Sequence, residues 1–173
     1  MTRIPYPDPD SLIEAKHAVL FSGKPVLNIS RMAMHLAEPL WAGYRNFAIV
    51  ARDAGPLDDG LRELVILRVG HLSKSAYELH HHLPVAIKAG VSEEKLTAVA
   101  TGDFSALDPR ERAVLEYASQ VVTQVGADDA TLGAVQAHFS TEDIFGITIL
   151  IAGYMTTARL IALSGVEAET DHD

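Results

Sequence analysis

The segment RELVILRVGHLSKSAYELHHH, residues 62–82, decides the fold of this chain. Its first part, through Leu72, is apolar on nearly every side of a helical projection, which is typical of a helix that is buried all around. The apolar pattern stops there, and a second helical segment starts at Ser73 or Ser75. We therefore predict two antiparallel helices joined by a short corner, which form the central hairpin of the molecule.

Cap and stop residues divide the rest of the chain into further helices. Aspartate, asparagine or serine precedes most of the apolar stretches and glycine follows several of them, which is the usual order of helix start and stop signals. No stretch alternates apolar and polar residues convincingly over the length of a strand. The predicted fold class is therefore all-α, a helical bundle with short connections. Predicted helix starts lie at Ser11, at Asn28 or Ser30, at Asp58 or Asp59, at Ser92, at Asp108, at Asp128 or Asp129, and at Ser140.

Length and composition limit the classes of function. With 173 residues, of which 48% are hydrophobic and 21% charged, the chain predicts one globular domain with a buried core. The formal net charge of −9 argues against a nucleic-acid partner, which requires a basic surface. The chain has no cysteine, so disulfides, thiol catalysis and thiolate metal ligands are excluded. The first residues lack the apolar core of a secretory signal, so we expect a cytoplasmic location.

A second strongly apolar segment covers residues 144–163. Arg159 and three threonines within it favour a buried helix over a membrane span, so no membrane partner is expected. A domain of this size rarely surrounds two helices that are apolar on all sides, and residues 61–72 form the other one. We therefore expect a homo-oligomer, whose interface completes the core.

The hairpin predicts that a carboxylate and an imidazole face each other. Glu63 lies ten residues before Ser73 and His82 nine residues after it, so both sit about 15 Å from the corner. A buried carboxylate needs a donor, and His82 is the natural candidate. Such a pair can move a proton near neutral pH. A Glu–His contact between packed helices is, however, more often a satisfied core pair, and both interpretations stay open.

Ser75, Tyr77 and Glu78 lie near this pair on the second helix. Ser75, Glu78 and His82 are spaced three and four apart, so they share one helical face. Ser75 and Glu78 also have the spacing of a capping box, which needs no catalytic role, and Tyr77 fits either a core position or a hydroxyl donor. Glu78 and His82 could also chelate a metal with Glu63, although the spacing selects no metal. The candidate catalytic residues are therefore His82, Glu63, Tyr77, Glu78 and Ser75, with no cofactor and no metal assigned.

The pattern RELVILRVGHLSKSAYELHHHLPVAIKAGVSEEKLTAV resembles the carboxymuconolactone decarboxylase family, which shares its fold with the alkylhydroperoxidase-D-type proteins. The likeness continues through LDPRERAVLEYASQVV and DIFGITILIAGYMTTARLIALSGVE. The resemblance implies an all-α, alkylhydroperoxidase-D-like bundle that assembles as trimers or hexamers. We therefore predict an N-terminal arm and first helix over residues 1–27, the family-like helical domain over 28–167, and an acidic tail over 168–173, which we expect to be frayed.

The resemblance also assigns positions. The peroxidase branch of the family carries a Cys-x-x-Cys pair followed four residues later by His. Ser75 and Glu78 stand at the two cysteine positions and His82 at the histidine position. Glu63 matches the upstream glutamate of that branch, and Tyr77 matches its intervening histidine. Without thiols this chain cannot reduce peroxides through a disulfide, so the remaining resemblance is to the decarboxylase branch, whose members open or decarboxylate lactones of aromatic catabolism without a cofactor.

Three functions are compatible with these residues. The first is a cofactor-free lyase or isomerase that acts on a small lactone or keto acid by acid–base chemistry of His82 and Glu63. The second is a metal-dependent enzyme that uses Glu78 and His82. The third is a non-catalytic oligomeric binding protein that kept the scaffold without the redox centre. We favour the first, with a small-molecule substrate as the partner.

Overall fold

The computed structural model describes residues 2–169, so that residues 170–173 of the predicted acidic tail lie outside the described part. The described residues form nine α-helices, two short 3₁₀ turns and no β-strand, which confirms the all-α prediction. The helices are α1 (Glu14–Leu20), α2 (Asn28–Met32), α3 (Glu38–Asp53), α4 (Asp59–Leu72), α5 (Ala76–Lys88), α6 (Glu93–Thr101), α7 (Pro109–Gln124), α8 (Asp129–Gln136) and α9 (Thr141–Ser164).

Side-chain caps start most of the longer helices. A cap oxygen accepts a backbone N–H from the first turn, which satisfies one of the donors that a helix start leaves free. Gly102 and Gly165 end α6 and α9 with φ of 81° and 65°, a left-handed conformation that glycine adopts without strain. The capping side chains are those of Asp58, Ser92, Asp108, Asp128 and Ser140, as the sequence predicts.

Two serines predicted at helix starts, Ser11 and Ser75, do not cap a helix. Ser11 belongs to a 3₁₀ turn and donates its hydroxyl to the carbonyl of Asp8 at 2.7 Å, so α1 begins three residues later without a side-chain cap. Ser75 precedes α5, but its hydroxyl accepts no N–H. The corner residue Lys74 has a φ of 53° and leaves Ser75 at a ψ of 89°, far from the ψ near 160° of the residues that do cap. The backbone of the corner therefore turns this hydroxyl away from the helix start.

Helix α4 is the centre of the core. It packs against α5, α6, α7 and α9, and Leu64, Val65 and Ile66 are at most 1% exposed. Four helices of the same chain therefore surround α4, and the expected homo-oligomer stays a prediction.

Helix α9 keeps part of the predicted apolar surplus at the surface. It packs against α3, α4 and α7 along one side, while Phe145, Ile149 and Leu163 on the other side are 71%, 47% and 62% exposed. In the described part of the chain it is also the one helix whose length and composition would suffice to cross a membrane. Burial of one side against the core is also the ordinary situation of a long helix in a helical bundle.

A second, smaller core joins the two ends of the chain to the hairpin. Backbone N–H groups of Arg3 and Ile4 donate to the carbonyl of Ser164 at 2.7 and 3.2 Å. The apolar residues of this cluster fix α2 beside α5 and the end of α9. They are Ile29, Met32, Tyr77, Ile161 and Val166, with Ile4, Tyr6, Leu160 and Ala168 packed against them.

Candidate functional site

Glu63 and His82 meet across the α4–α5 hairpin. Nδ1 of His82 lies 2.6 Å from Oε2 of Glu63, a hydrogen bond in which the imidazole donates to the carboxylate. The other carboxylate oxygen lies 3.4 Å from Nε of Arg62. Glu63 is 1% exposed, so the pair sits inside the protein. The predicted pairing across the hairpin is confirmed, and its catalytic role stays a prediction.

Glu78 extends this pair on the other edge of the imidazole. Its Oε2 lies 3.6 Å from Nε2 of His82, and its Oε1 is buried without a hydrogen-bond partner among the described residues. Burial raises the pKa of Glu78 from its ordinary 4.5 to about 7, against the opposing attraction of His82. Glu63, His82 and Glu78 therefore form a continuous row, and its last carboxyl group exists in both protonation states at neutral pH.

The row ends at a cavity of about 390 Å³ between the segment before α2, α2 itself, α3, α5 and α9. This volume suits a small organic molecule. Apolar side chains form much of the wall, among them Ile29, Met34, Trp41, Ala48 and Ile49. Polar side chains also line the cavity from three helices: Tyr77, Glu78, His81 and His82 from α5, Tyr44, Arg45 and Arg52 from α3, and Tyr154 and Thr157 from α9.

Two tyrosines of this wall, Tyr154 and Tyr44, are not among the residues that the sequence indicates as candidates. The ring of Tyr154 on α9 meets the ring of His82 edge to face, with centroids 5.0 Å apart. Burial raises the pKa of Tyr154 well above its ordinary value, so its hydroxyl stays protonated at neutral pH. The hydroxyl of Tyr44 on α3 lies 3.0 Å from Oγ1 of Thr157. Neither tyrosine belongs to a motif. The one sequence feature that could have indicated them is the position of a polar aromatic residue within an otherwise apolar stretch.

The other two candidate residues, Tyr77 and Ser75, lie outside the row of Glu63, His82 and Glu78. Tyr77 lines the cavity, but its hydroxyl donates to Oε1 of Glu169 at 2.9 Å and accepts the N–H of Ile29 at 3.3 Å. Ser75 is 5% exposed, lies outside the cavity wall, and its buried hydroxyl has no hydrogen-bond partner among the described residues. The structure therefore brings Glu78, His82 and Tyr77 to the cavity, places Glu63 behind His82, and leaves Ser75 apart.

The geometry does not assemble the three-ligand metal site that the sequence left open. Among residues 2–169, no three histidine, aspartate or glutamate side chains are grouped to hold an ion. Glu63 occupies the Nδ1 edge of His82 and Glu78 faces the Nε2 edge. Because these edges lie on opposite sides of the ring, the two carboxylates cannot share one ion with it. Glu78 and His82 remain as a pair of ligands without a third.

Comparison with known proteins places this site in a family context. The sequence pattern of the carboxymuconolactone decarboxylase family matches residues 39–120, which include all five candidate residues. No curated protein matches the chain.

Solved structures share the fold. An uncharacterized peroxidase-related protein from Ralstonia eutropha JMP134, described as an alkylhydroperoxidase AhpD core, has a TM-score of 0.80 at 20% identity, covering 98% of this chain and 93% of that one. A peroxidase-related protein from Silicibacter sp. TM1040 reaches 0.78 at 14% identity, covering 98% and 91%. A variant of the debrominase Bmp8 in complex with 2,3,4-tribromopyrrole reaches 0.72 at 15% identity, covering 96% and 91%. At these identities the likeness establishes the alkylhydroperoxidase-D-like fold.

Proposed function

Because residues 39–120 of this chain belong to the carboxymuconolactone decarboxylase family, we propose that the protein is a cofactor-free lyase or isomerase that acts on a small lactone or keto acid by acid–base chemistry. The observation that carries this proposal is the row Glu63–His82–Glu78, which ends at a largely apolar cavity. Pairs of titratable groups with a shifted pKa at a cavity are typical of acid–base sites.

Glu78 is the group that exchanges a proton with the substrate. A catalytic acid or base works best when its pKa lies near the working pH, and burial brings the pKa of Glu78 to about 7. As a carboxylate it removes a proton from a carbon next to a carbonyl, and as a carboxylic acid it returns the proton to carbon.

His82 and Glu63 support Glu78 from behind. Nε2 of His82 faces the carboxyl group of Glu78 across 3.6 Å, which is the distance of an ion pair and longer than a hydrogen bond. Glu63 accepts the Nδ1 hydrogen and so fixes both the tautomer and the orientation of the ring. Glu63 lies outside the cavity wall, and it therefore acts as a positioning residue.

Tyr154 supplies a hydroxyl for the oxygen on which negative charge develops. When a proton or carbon dioxide leaves the α-carbon, the electron pair of the broken bond moves onto the carbonyl oxygen and forms an enolate. A protonated hydroxyl in an apolar cavity stabilises such an oxygen more strongly than water does. Reprotonation at carbon completes the reaction, with no oxidant or reductant required. A reaction that needs no oxidant or reductant is compatible with a chain that has no cysteine.

The nearest indication of substrate size comes from the debrominase complex, whose ligand is a brominated pyrrole. The cavity of about 390 Å³ is large enough for a single small ring with substituents. Both observations support a small cyclic substrate such as a lactone.

A turnover screen against lactones and β-keto acids, followed by ultraviolet absorbance and carbon dioxide release, tests the proposal. We expect Glu78→Gln and His82→Gln to lose turnover by about 100-fold or more, the usual contribution of a general acid–base group. Glu116→Gln, on the exposed side of α7, is the matched control. Full activity in folded Glu78→Gln and His82→Gln proteins would remove both residues from the mechanism.

We also propose that the active form is a homo-oligomer, a trimer or hexamer as the family resemblance implies. The exposed apolar side chains of Phe145 and Ile149 on α9 support this, because they form one stripe at a spacing of four residues.

A further inference from the structure

The C-terminal segment reaches back to the wall of the cavity through Glu169. Oε1 of this carboxylate accepts two hydrogen bonds, one from the backbone N–H of Asn28 and one from the hydroxyl of Tyr77, the latter at 2.9 Å. Oε2 lies 2.8 Å from Nε2 of His81, without the alignment of a hydrogen bond. One side chain therefore joins the start of α2 to two residues of α5.

Helix α2 gains an acceptor for its first N–H from this contact, in addition to the apolar cluster that contains Ile29 and Met32. It has five residues, and Leu27 before it provides no side-chain cap. An isolated helix this short is unstable, because its few hydrogen bonds do not offset the cost of nucleation. The carboxylate of Glu169 accepts the backbone N–H of Asn28, the first residue of the helix, and so satisfies one donor that a helix start leaves free.

The charge state of Glu169 agrees with this arrangement. Partial burial acts to raise its pKa, but the hydrogen bonds from the backbone N–H groups of Asn28 and Glu169 and from Tyr77, together with the nearby His81, outweigh burial and lower the pKa below its ordinary value. The group is therefore ionised at neutral pH, and both hydrogen bonds are of the stronger, charge-assisted kind.

The joined residues are also wall residues. Ile29 and Leu27 from the α2 side, and Tyr77 and His81 from α5, all line the cavity. If α2 leaves α5, the wall opens at this corner. Leu27 is already 45% exposed, so solvent lies directly outside.

We propose that Glu169 is a positioning residue that clamps α2 onto α5 and so controls access to the cavity. This inference is independent of the reaction that takes place in the cavity. The cradle formed by the N–H of Asn28, the hydroxyl of Tyr77 and His81 is then a carboxylate-binding site, and Glu169 is its natural occupant.

The single tryptophan of the chain reports on this clamp. Trp41 lines the cavity and is 6% exposed, so acrylamide reaches it more often when the wall opens further. We expect Glu169→Ala to raise the quenching constant of Trp41 fluorescence at least about twofold, because local opening becomes more frequent when charged hydrogen bonds are lost. Glu116→Gln should quench like the wild type.

Acetate separates a clamp from general loosening of the fold. The alanine variant leaves the cradle empty and solvent within reach, since the Glu169 side chain is 27% exposed. Added acetate should therefore return the quenching constant of Glu169→Ala toward the wild-type value, whereas chloride at equal ionic strength should not. Equal effects of acetate and chloride would overturn the clamp.

A second variant tests the same site from the other side. Tyr77→Phe removes the hydrogen bond to Glu169 and the acceptor of the Ile29 N–H, so it should raise the quenching of Trp41 above the wild-type value as well. The double variant should fall short of the sum, because both changes break the same contact. Wild-type quenching in folded Glu169→Ala would overturn the proposal. If circular dichroism shows Glu169→Ala to be unfolded, Glu169→Gln takes its place, and wild-type quenching in that variant would equally overturn it.

Discussion

The buried carboxyl group of Glu78 makes the stability of the protein depend on pH in a definite direction. Its pKa is about 7 in the folded protein against an ordinary value of 4.5, because burial disfavours the charged form. The folded state therefore binds the proton more tightly than the unfolded state does. The contribution of this group to stability is complete below about pH 4.5 and is lost as the pH rises through about 7.

The variant Glu78→Gln should not lose stability in this way. Glutamine has nearly the same shape and stays neutral at every pH. Between pH 5 and pH 8, the free energy of unfolding of the wild type should fall by about 2 kcal/mol relative to that of the variant, as the pKa difference requires. For a chain of this length, that difference corresponds to a shift in melting temperature of about 4–8 °C.

Urea unfolding at both pH values, at one fixed protein concentration, measures this difference. Glu116→Gln serves as the matched control, since this exposed side chain lies on α7 away from the cavity, and its difference from the wild type should not change with pH. A Glu78→Gln curve parallel to the wild type over the whole range would refute the reasoning, because it would mean that Glu78 ionises as an exposed carboxylate does.

Three further outcomes follow from the same contacts. His82→Ala should destabilise the protein by about 3–5 kcal/mol in urea unfolding, since it leaves the buried carboxylate of Glu63 without its hydrogen-bond donor. His82→Gln should cost much less, and equal losses would contradict the pairing. Phe145→Ser combined with Ile149→Ser should lower the mass measured by light scattering if these two residues of α9 join the subunits. An oligomer of unchanged mass would exclude this stripe as the interface. The protein should consume no peroxide above the no-enzyme rate in a coupled dithiol assay, and measurable turnover would contradict the argument from the absence of cysteine.

The hairpin and its central contact could be predicted because they depend on local geometry. Glu63 and His82 lie at nearly equal distances from one corner, so the rise of a helix alone brings them together. The same local reasoning failed at Ser75, where the spacing of a capping box was present but the corner at Lys74 turned the backbone away. Spacing along a helix predicts a contact only where the backbone at its start is regular.

The cavity could not be predicted in this way. Its walls come from the segment before α2, from α3 and from α9, which meet the hairpin only after the whole domain has packed. Tyr154 stands more than seventy positions after His82 in the sequence, and no motif connects the two. Glu169 belongs to a tail that the composition described as frayed, yet in the structure it binds Asn28 and Tyr77. Long-range packing thus decides which polar groups reach the cavity.

The two kinds of contact at this site also differ in when they can form. Glu63 and His82 are 19 positions apart, whereas Glu169 and Asn28 are separated by 141. Closing the longer loop costs about 2 kcal/mol more chain entropy, and contacts between distant residues generally form late in folding. During synthesis on the ribosome the order of contact formation is stricter still. The hairpin can pair before Glu169, which contacts α2 at the cavity wall, has been synthesised. The nascent protein can therefore form the Glu63–His82 contact before the cavity beside it exists.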